Sequence, residues 1–423
     1  MIETKFKNSE VGTIPEDWEA KALGEVFEFK NGLNASKDCF GHGTPIVNYR
    51  DVYDNYSLKR EQIKGLVSLS QADIKRYQVK KGDVFFTRTS ETPEEVGLTS
   101  VLLDDIENCV FSGFVLRARP YKNINIDYRY FAFCFLTKSV RNEIIQGCSC
   151  TTRALTNGRL LSGVHVILPP TSTEQSRIAT ALSDVDDLIA TLKKLIEKKR
   201  NIKQGVMQEL LSGKRRLPGF SDKWVEKKVG IIGNTYNGLS GKTKEDFGVG
   251  ESQYITFLNV LNNPVIDTSI FEQVNILPNE RQNKAIQGDI FFNTSSETPE
   301  EVGICSYLDN EIDNLYLNSF CFGFRITDSE VDGHFLAYFW RSRRGREIMT
   351  MLAQGSTRFN LSKSLFKESS ILIPPTKKEQ IAIVNVISDM DSEISMLELR
   401  LTKYQSLKQG MMQQLLTGKI RLI

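Results

Sequence analysis

Histidine is scarce in this chain. His42, His165 and His334 are the only three, and they fall in no metal-ligand spacing. Cysteine is present but unpatterned, at positions 39, 109, 134, 148, 150, 305 and 321. Cys148-Ser-Cys150 lacks the two-residue gap of a zinc knuckle, and no second cysteine or histidine pair complements it. The pattern predicts no metal and no disulfide framework, only thiols in a reducing compartment. No run approaches the roughly 18 consecutive apolar residues that read as a membrane span. The polar start, Met1-Ile-Glu-Thr-Lys-Phe-Lys7, has no signal-peptide core. Both point to a cytoplasmic protein without membrane contact. Charge of either sign is not in excess, with 54 Lys+Arg against 52 Asp+Glu and a net +2. Any binding to nucleic acid must therefore come from local basic patches.

Familiar catalytic signatures are also missing. Asn237-Gly-Leu-Ser-Gly-Lys-Thr243 has the tail of a nucleotide-binding P-loop, but Tyr236 stands where the first glycine must be. The segment reads instead as an exposed basic turn. Leu168-Pro-Pro-Thr171 and Ile373-Pro-Pro-Thr376 lack the flanking polar and aromatic residues of an amino-methyltransferase motif, and read as prolines that start a helix. The acids of Glu91-Thr-Pro-Glu-Glu95 and Glu297-Thr-Pro-Glu-Glu301 follow a strand and read as a solvated turn.

What is present is written twice. Gly82–Leu98 and Gly288–Ile304 agree at 12 of 17 positions. Pro169–Asp186 matches Pro374–Asp391, Lys203–Lys214 matches Lys408–Lys419, and Trp18 answers Trp224. A period of about two hundred residues is far too long for a solenoid, so each copy is a domain plus a connector.

Each copy changes character at its Pro-Pro. Before it, short β-rich runs (Val84–Thr87, Val110-Phe111, Phe114–Arg117, Val164–Leu168) alternate with turns around a helix over Tyr128–Ile145, which predicts mixed α/β. After it, Thr-x-x-Glu-Gln resembles a capping box. Apolar residues at 383, 387, 390, 394, 397, 401, 404, 411 and 415 then form a heptad seam with Lys408 in its gap. The first copy repeats the seam, interrupted at Lys199 and Lys203. Helices of about 40 residues, about 60 Å long, follow. Both end at Leu-Leu-Ser/Thr-Gly, where the glycine is placed as a stop. The expected fold is α/β (mixed): two pseudo-two-fold-related globular domains, 1–170 and 215–375, bridged by a long antiparallel coiled coil of the helical segments 171–214 and 376–423. Gly205 and Gly410 recur in the same helical register, where glycine costs about 1 kcal/mol relative to alanine. They are candidate contacts for partner helices, or else packing notches.

The duplicated domain, the helix starts Pro169-Pro-Thr-Ser-Thr-Glu-Gln175 and Pro374-Pro-Thr-Lys-Lys-Glu-Gln380, the Lys-Gln-Gly-x-Met-Gln-x-Leu-Leu-Ser/Thr-Gly-Lys helix ends and the Gly-Asp-x-Phe-Phe runs resemble the specificity (S) subunit of type I restriction–modification systems. The resemblance spans nearly the whole chain. It implies two target-recognition domains, each reading one half of a split site in double-stranded DNA. It also implies helices that space them and dock two methyltransferase (M) subunits, with two motor-nuclease (R) subunits joining for cleavage. S-adenosylmethionine, ATP and Mg²⁺ would then belong to those partners, and the chain itself would not be an enzyme.

DNA reading needs cations for phosphates and polar groups for base edges. Candidates on turns are Lys37, matched by Lys242 and Lys244; Asn48, Tyr49 and Arg50, with Asn259 as counterpart; Arg88, Thr89 and Ser90, matched by Thr294, Ser295 and Ser296; and Arg153, matched by Arg358. Arg88 opposite Thr294 is the largest chemical difference in the central turn, and an arginine there could reach guanine with two hydrogen bonds. Two alternatives remain at this level. One is a specificity subunit for a fused methyltransferase–nuclease; the other is a coiled-coil scaffold that never touches DNA.

Overall fold

The computed structural model describes residues 5–150 and 152–423. Contacts divide the chain into two units. The first holds the residues up to Lys193 together with Leu399–Ile423, and the second is Lys194–Glu398. Each unit therefore contains one recognition domain, part of its own long helix and part of the other copy's helix.

In the first unit a five-stranded sheet runs in the order Phe27–Asn31, Val115–Pro120, Val84–Thr87, Thr99–Leu102, Ser57–Leu58. The pairing is antiparallel except for the last strand, which lies parallel to Thr99–Leu102. A second sheet orders Val110–Phe111, Phe40–Val47 and Leu66–Val67. The second unit repeats the plan with Gly233–Asn237, Cys321–Ile326, Ile290–Asn293 and Cys305–Tyr307, beside Glu272–Val274, Phe247–Ile255 and Leu315–Leu317. Two of the expected strands, Val84–Thr87 and Val110–Phe111, form as anticipated. The strand expected at Phe114–Arg117 starts one residue later, at Val115, and leaves Phe114 on the preceding loop.

The repeated Gly-Asp owes its presence to architecture. Gly82 and Gly288 adopt φ of +86° and +91°, which a side chain disfavours. The aspartate that follows is buried and held by a two-pronged arginine. Arg119 bonds Asp83 at 2.7 Å through both Nε and Nη2, and Arg325 bonds Asp289 at 2.9 and 2.7 Å. The helix expected over Tyr128–Ile145 breaks into Phe131–Cys134 and Lys138–Gly147, with Thr137 extended between them. In the second unit the same break falls at Ser342, whose hydroxyl accepts from Gly345 N and so caps the next helix.

The long helices are Ser172–Leu210 and Lys377–Leu415, each of 39 residues. Within each unit they run antiparallel. In the first, Ile178, Ala179 and Leu182 share a core with Leu415 and Leu416, and Asp186 pairs with Lys408 at 2.6 Å. In the second, Leu210 and Leu211 share a core with Ile383, Val384 and Ile387, and Lys203 pairs with Asp391. The lysines that interrupt the heptad seam thus meet an acid from the facing helix. Lys199 does likewise, on Glu393 at 2.6 Å.

The helix starts do not close as capping boxes. Thr171 Oγ1 accepts from Glu174 N at 3.2 Å, and Thr376 Oγ1 from Glu379 N at 3.4 Å, which is half the motif. The reciprocal half is missing because the glutamates are engaged elsewhere. Glu174 is buried and bound by Arg421 at 2.5 and 2.8 Å. Glu379 is buried and bound by Arg216 at 2.6 and 2.8 Å. Arg421 also bonds Asp17 at 2.9 Å and lies over the Trp18 ring. Gly418 and Gly213, at φ of +69° and +72°, turn the chain sharply against Trp18 and Trp224 to deliver these arginines. The glutamine beside each glutamate fastens the helix start to the domain: Gln175 bonds Pro169 O and Asp127 N, and Gln380 bonds Pro374 O and Asp332 N.

Removing one partner of a buried ion pair typically costs about 3–5 kcal/mol, because the other charge stays buried and unpaired. Arg421→Ala is expected to lower the stability of the first unit by that order, and Arg216→Ala that of the second, as measured by urea unfolding. Hydrogen bonds from Arg421 hold the Asp17 carboxyl below the usual carboxylate range. A depressed acid stabilises the fold above its unfolded value of about 3.9 and loses that contribution as pH falls through its folded value. The stability advantage of the native chain over Asp17→Asn should therefore shrink as pH falls below about 4.

Candidate DNA-reading site

In the first domain the structure brings three separate stretches of sequence together, and the second domain repeats the pairing of two of them. The central turn follows the middle strand of the main sheet, and its short strand Thr89–Ser90 pairs with Ala154–Leu155, just beyond Arg153. The same pairing in the second unit joins Ser295 to Asn360 and Ser296 to Phe359, just beyond Arg358. The helix Tyr49–Asp54 supplies a third wall. Tyr49, Arg50, Tyr53, Thr89, Glu91 and Arg153, with Phe114 beside them, line an open cavity of about 680 Å³.

The turn is pinned from beneath. Arg141, half-buried, donates to the carbonyls of Gly97, Glu94 and Val96 at 2.8, 2.9 and 2.8 Å. Arg346 does the same to Glu300 and Val302. Burial lowers the pKa of both guanidiniums, yet an arginine's ordinary value is so high that they stay charged. Within the turn, Ser90 donates to Glu95 and accepts from Thr92 N, and Ser296 does so with Glu301 and Thr298 N. Tyr53 adds a bond to Glu95 at 2.7 Å. These acids serve the turn's own structure. Among the described residues no group of three or more acidic, histidine or cysteine side chains could hold a metal.

The sequence candidates divide on this geometry. Arg153 and Arg358 are exposed; Arg153 lies 3.6 Å from Glu91 in a weak surface pair. Arg50 is exposed beside Tyr53, with Asp54 at 3.3 Å. Thr89, Thr294, Ser295 and Ser296 are partly exposed. Tyr49 is half-buried and stacks on Tyr53, with ring centroids 5.7 Å apart. Lys37 and Lys244 are both exposed, and each opens a short 3-10 turn that leads into a strand, so they are the true counterparts.

Others need correction. Lys242 is not on an exposed turn: its side chain is 4% exposed, with Nζ 2.6 Å from Glu280. Asn259 is fully buried, bonded to Asp267 N and O and to Asn263. It sits at the third helical position of Phe257–Asn262, as Asp51 does in Tyr49–Asp54, so it is no counterpart of Asn48. Asn48 itself caps its helix together with Asp51, as Thr256 does in the second unit. The real counterpart of Arg50 is Leu258, 62% exposed. Ser90 is buried to 6% and engaged inside the turn. Arg88 is half-buried and donates through Nη1 to Gly113 O at 2.9 Å, which engages one arm of the two-pronged contact expected with a base. Gly205 and Gly410 are exposed, and a Cβ at either would meet nothing within 4 Å, which removes the packing-notch reading.

Comparison with known proteins agrees with this architecture. Residues 15–199 and 221–404 each match the type I restriction modification DNA specificity domain. The chain is 24% identical over 441 residues to the type I restriction enzyme MjaVIII specificity subunit of Methanocaldococcus jannaschii, covering 99% of this chain and 96% of that one. Its fold resembles the type I restriction–modification S subunit of M. genitalium, with a TM-score of 0.56, 14% identity and coverage of 98% and 99%. It also resembles the HsdS subunit of Thermoanaerobacter tengcongensis, with a TM-score of 0.54, 15% identity and coverage of 96% and 98%. The chain belongs to the type I restriction–modification DNA specificity family. It is a specificity subunit of the type I restriction–modification class, built from two DNA specificity domains, and the scaffold unrelated to DNA falls away. Among the described residues no helix is long and apolar enough to cross a membrane.

The pinning arginines, which sequence reading passed over, generate a test. Lysine cannot span several carbonyls with a planar fork. Arg346→Lys should lower hydrogen-exchange protection across residues 296–303 while reducing global stability by only about 1–3 kcal/mol.

Proposed function

We propose that each recognition domain reads one half of a bipartite DNA target through the patch formed by its central turn, the exposed arginine before the strand paired with that turn, and the neighbouring short helix. The observation that carries this reading is that the same exposed arginine stands beside the same buttressed turn in both units, although their surroundings have diverged. The framework is common, so differences between the half-sites come from Arg50 against Leu258, Tyr53 against Leu261 and Thr89 against Ser295. Arg88 against Thr294 acts on the loop beneath the patch. Lys37 and Lys244 are suited to phosphates. The long helices set the gap between half-sites and dock two M subunits, with two R subunits completing the nuclease. S-adenosylmethionine, ATP and Mg²⁺ are handled by those partners in the cytoplasm, and this chain contributes no chemistry of its own.

Mapping adenine methylation in cells that carry Arg50→Ala, Leu258→Ala or the native chain tests the assignment. Loss of a direct base contact costs about 1–3 kcal/mol of discrimination. Each variant should relax one position in its own half-site and leave the other half-site intact. An unaltered motif in both would overturn the patch as the reader.

The exposure of Gly205 and Gly410 supports helix-face docking of the methyltransferase. Gly205→Leu with Gly410→Leu should yield a folded, DNA-binding chain that no longer retains M on co-purification. Retention of M by the folded double variant would place docking elsewhere.

A further inference from the structure

Phe114 and Phe320 are the most exposed phenylalanines among the described residues, at 68% and 61%. They hold equivalent places, on the loop that enters the second strand of the main sheet in each domain. Leaving a phenylalanine in water forgoes about 1.5–3 kcal/mol of burial, and here it happens twice.

Neither loop is slack. In the first unit Ser112 N bonds Val47 O, Gly113 N bonds Leu33 O, Val115 N bonds Ser112 O, and Arg88 N bonds Phe114 O. In the second unit Asn318 N bonds Ile255 O, Cys321 N bonds Asn318 O, and Thr294 N bonds Phe320 O. The side-chain braces differ. Arg88 reaches across to Gly113 O in the first domain. In the second, where Thr294 replaces that arginine, Asn318 donates to Ile255 O at 3.0 Å and accepts from Phe320 N at 2.9 Å. Two unrelated braces present the same ring, tied by backbone hydrogen bonds to the residue that opens each central turn.

We propose that Phe114 and Phe320 form a matched pair of apolar wedges, one pressing on a base step in each half-site. An aromatic ring gains nothing from a phosphate, whereas every base offers a face to stack on, and apolar side chains unstack base steps in many DNA complexes. Phe114 shares its patch with Arg153 and Thr89, which favours DNA over a protein partner. A residue common to two domains that read different bases contributes affinity and local distortion and leaves the choice of sequence to its divergent neighbours. Arg88 and Asn318 then act as positioning residues. The proposal rests on the patch being the DNA reader.

The test uses the chain co-purified with its methyltransferase partner, on duplexes carrying 2-aminopurine at successive positions of each half-site. Phe114→Ala and Phe320→Ala should each weaken binding about tenfold, in the range of one lost base–aromatic stack. Thermal stability should be unchanged. So should the slope of log K against log salt, because no charge is removed, and the methylated motif. The native complex should brighten 2-aminopurine at one step in each half-site, and each variant should lose the signal only in its own. Phe114→Leu should recover part of the affinity. Unchanged affinity and fluorescence would overturn the proposal. A relaxed motif would make the ring a base discriminator instead, and loss of the partner with DNA binding intact would make it a protein-docking residue. Leu258→Ala and Arg50→Ala in parallel separate the two levels: an effect there with none at Phe114 and Phe320 sinks the wedge alone, whereas no effect at any of the four sinks the patch.

Discussion

Two buried carboxylates organise this molecule. Glu174 and Glu379 stand at the starts of the long helices, where the helix dipole favours negative charge, and each is taken by an arginine from the end of the other helix. A buried glutamate without its arginine would be strongly unfavourable. The end of one copy is therefore obliged to sit on the start of the other. The tryptophans, the left-handed glycines and the antiparallel course of the helices within each unit are arranged around that exchange.

The same preference for buried, charge-assisted anchoring recurs inside the domains. Arg119 and Arg325 hold the aspartates that begin the middle strand, while Arg141 and Arg346 hold the turn that ends it. That strand is clamped at both ends in both units, so the turn is presented as a rigid body. Preorganised polar groups lose less entropy on binding than flexible ones, and divergence at the surface then leaves the framework undisturbed.

Much of the architecture was legible in the sequence because it depends on local or periodic signals. The duplication, the heptad seam of Ile383, Ile387 and Ile394, and the glycine stops all survive translation into structure. The site was less legible. Lys242, Asn259, Ser90 and Arg88 are polar residues near turns, as DNA contacts often are, but each meets an internal partner. For Lys242 and Arg88 that partner lies 38 and 25 residues away, and no local pattern announces it. Phe114 is the opposite case: in an apolar run it reads as the start of a strand, and only the loop geometry reveals it as surface. Asn48 and Asn259 share a residue type but not a place in the helix cap, and only that place defines the counterpart.

Exchange of helix ends also imposes an order on birth. The second unit is one continuous stretch of chain, complete once Glu398 has been made. The first unit begins earlier but needs Arg421, which lies 247 residues beyond Glu174. At about 5–20 residues per second of synthesis, Glu174 and the apolar face around Ile178 and Leu182 wait roughly 12–50 s for their cover. The amino-terminal domain thus emerges before its partner and is finished after it, because the chain that covers its helix is the last to be made.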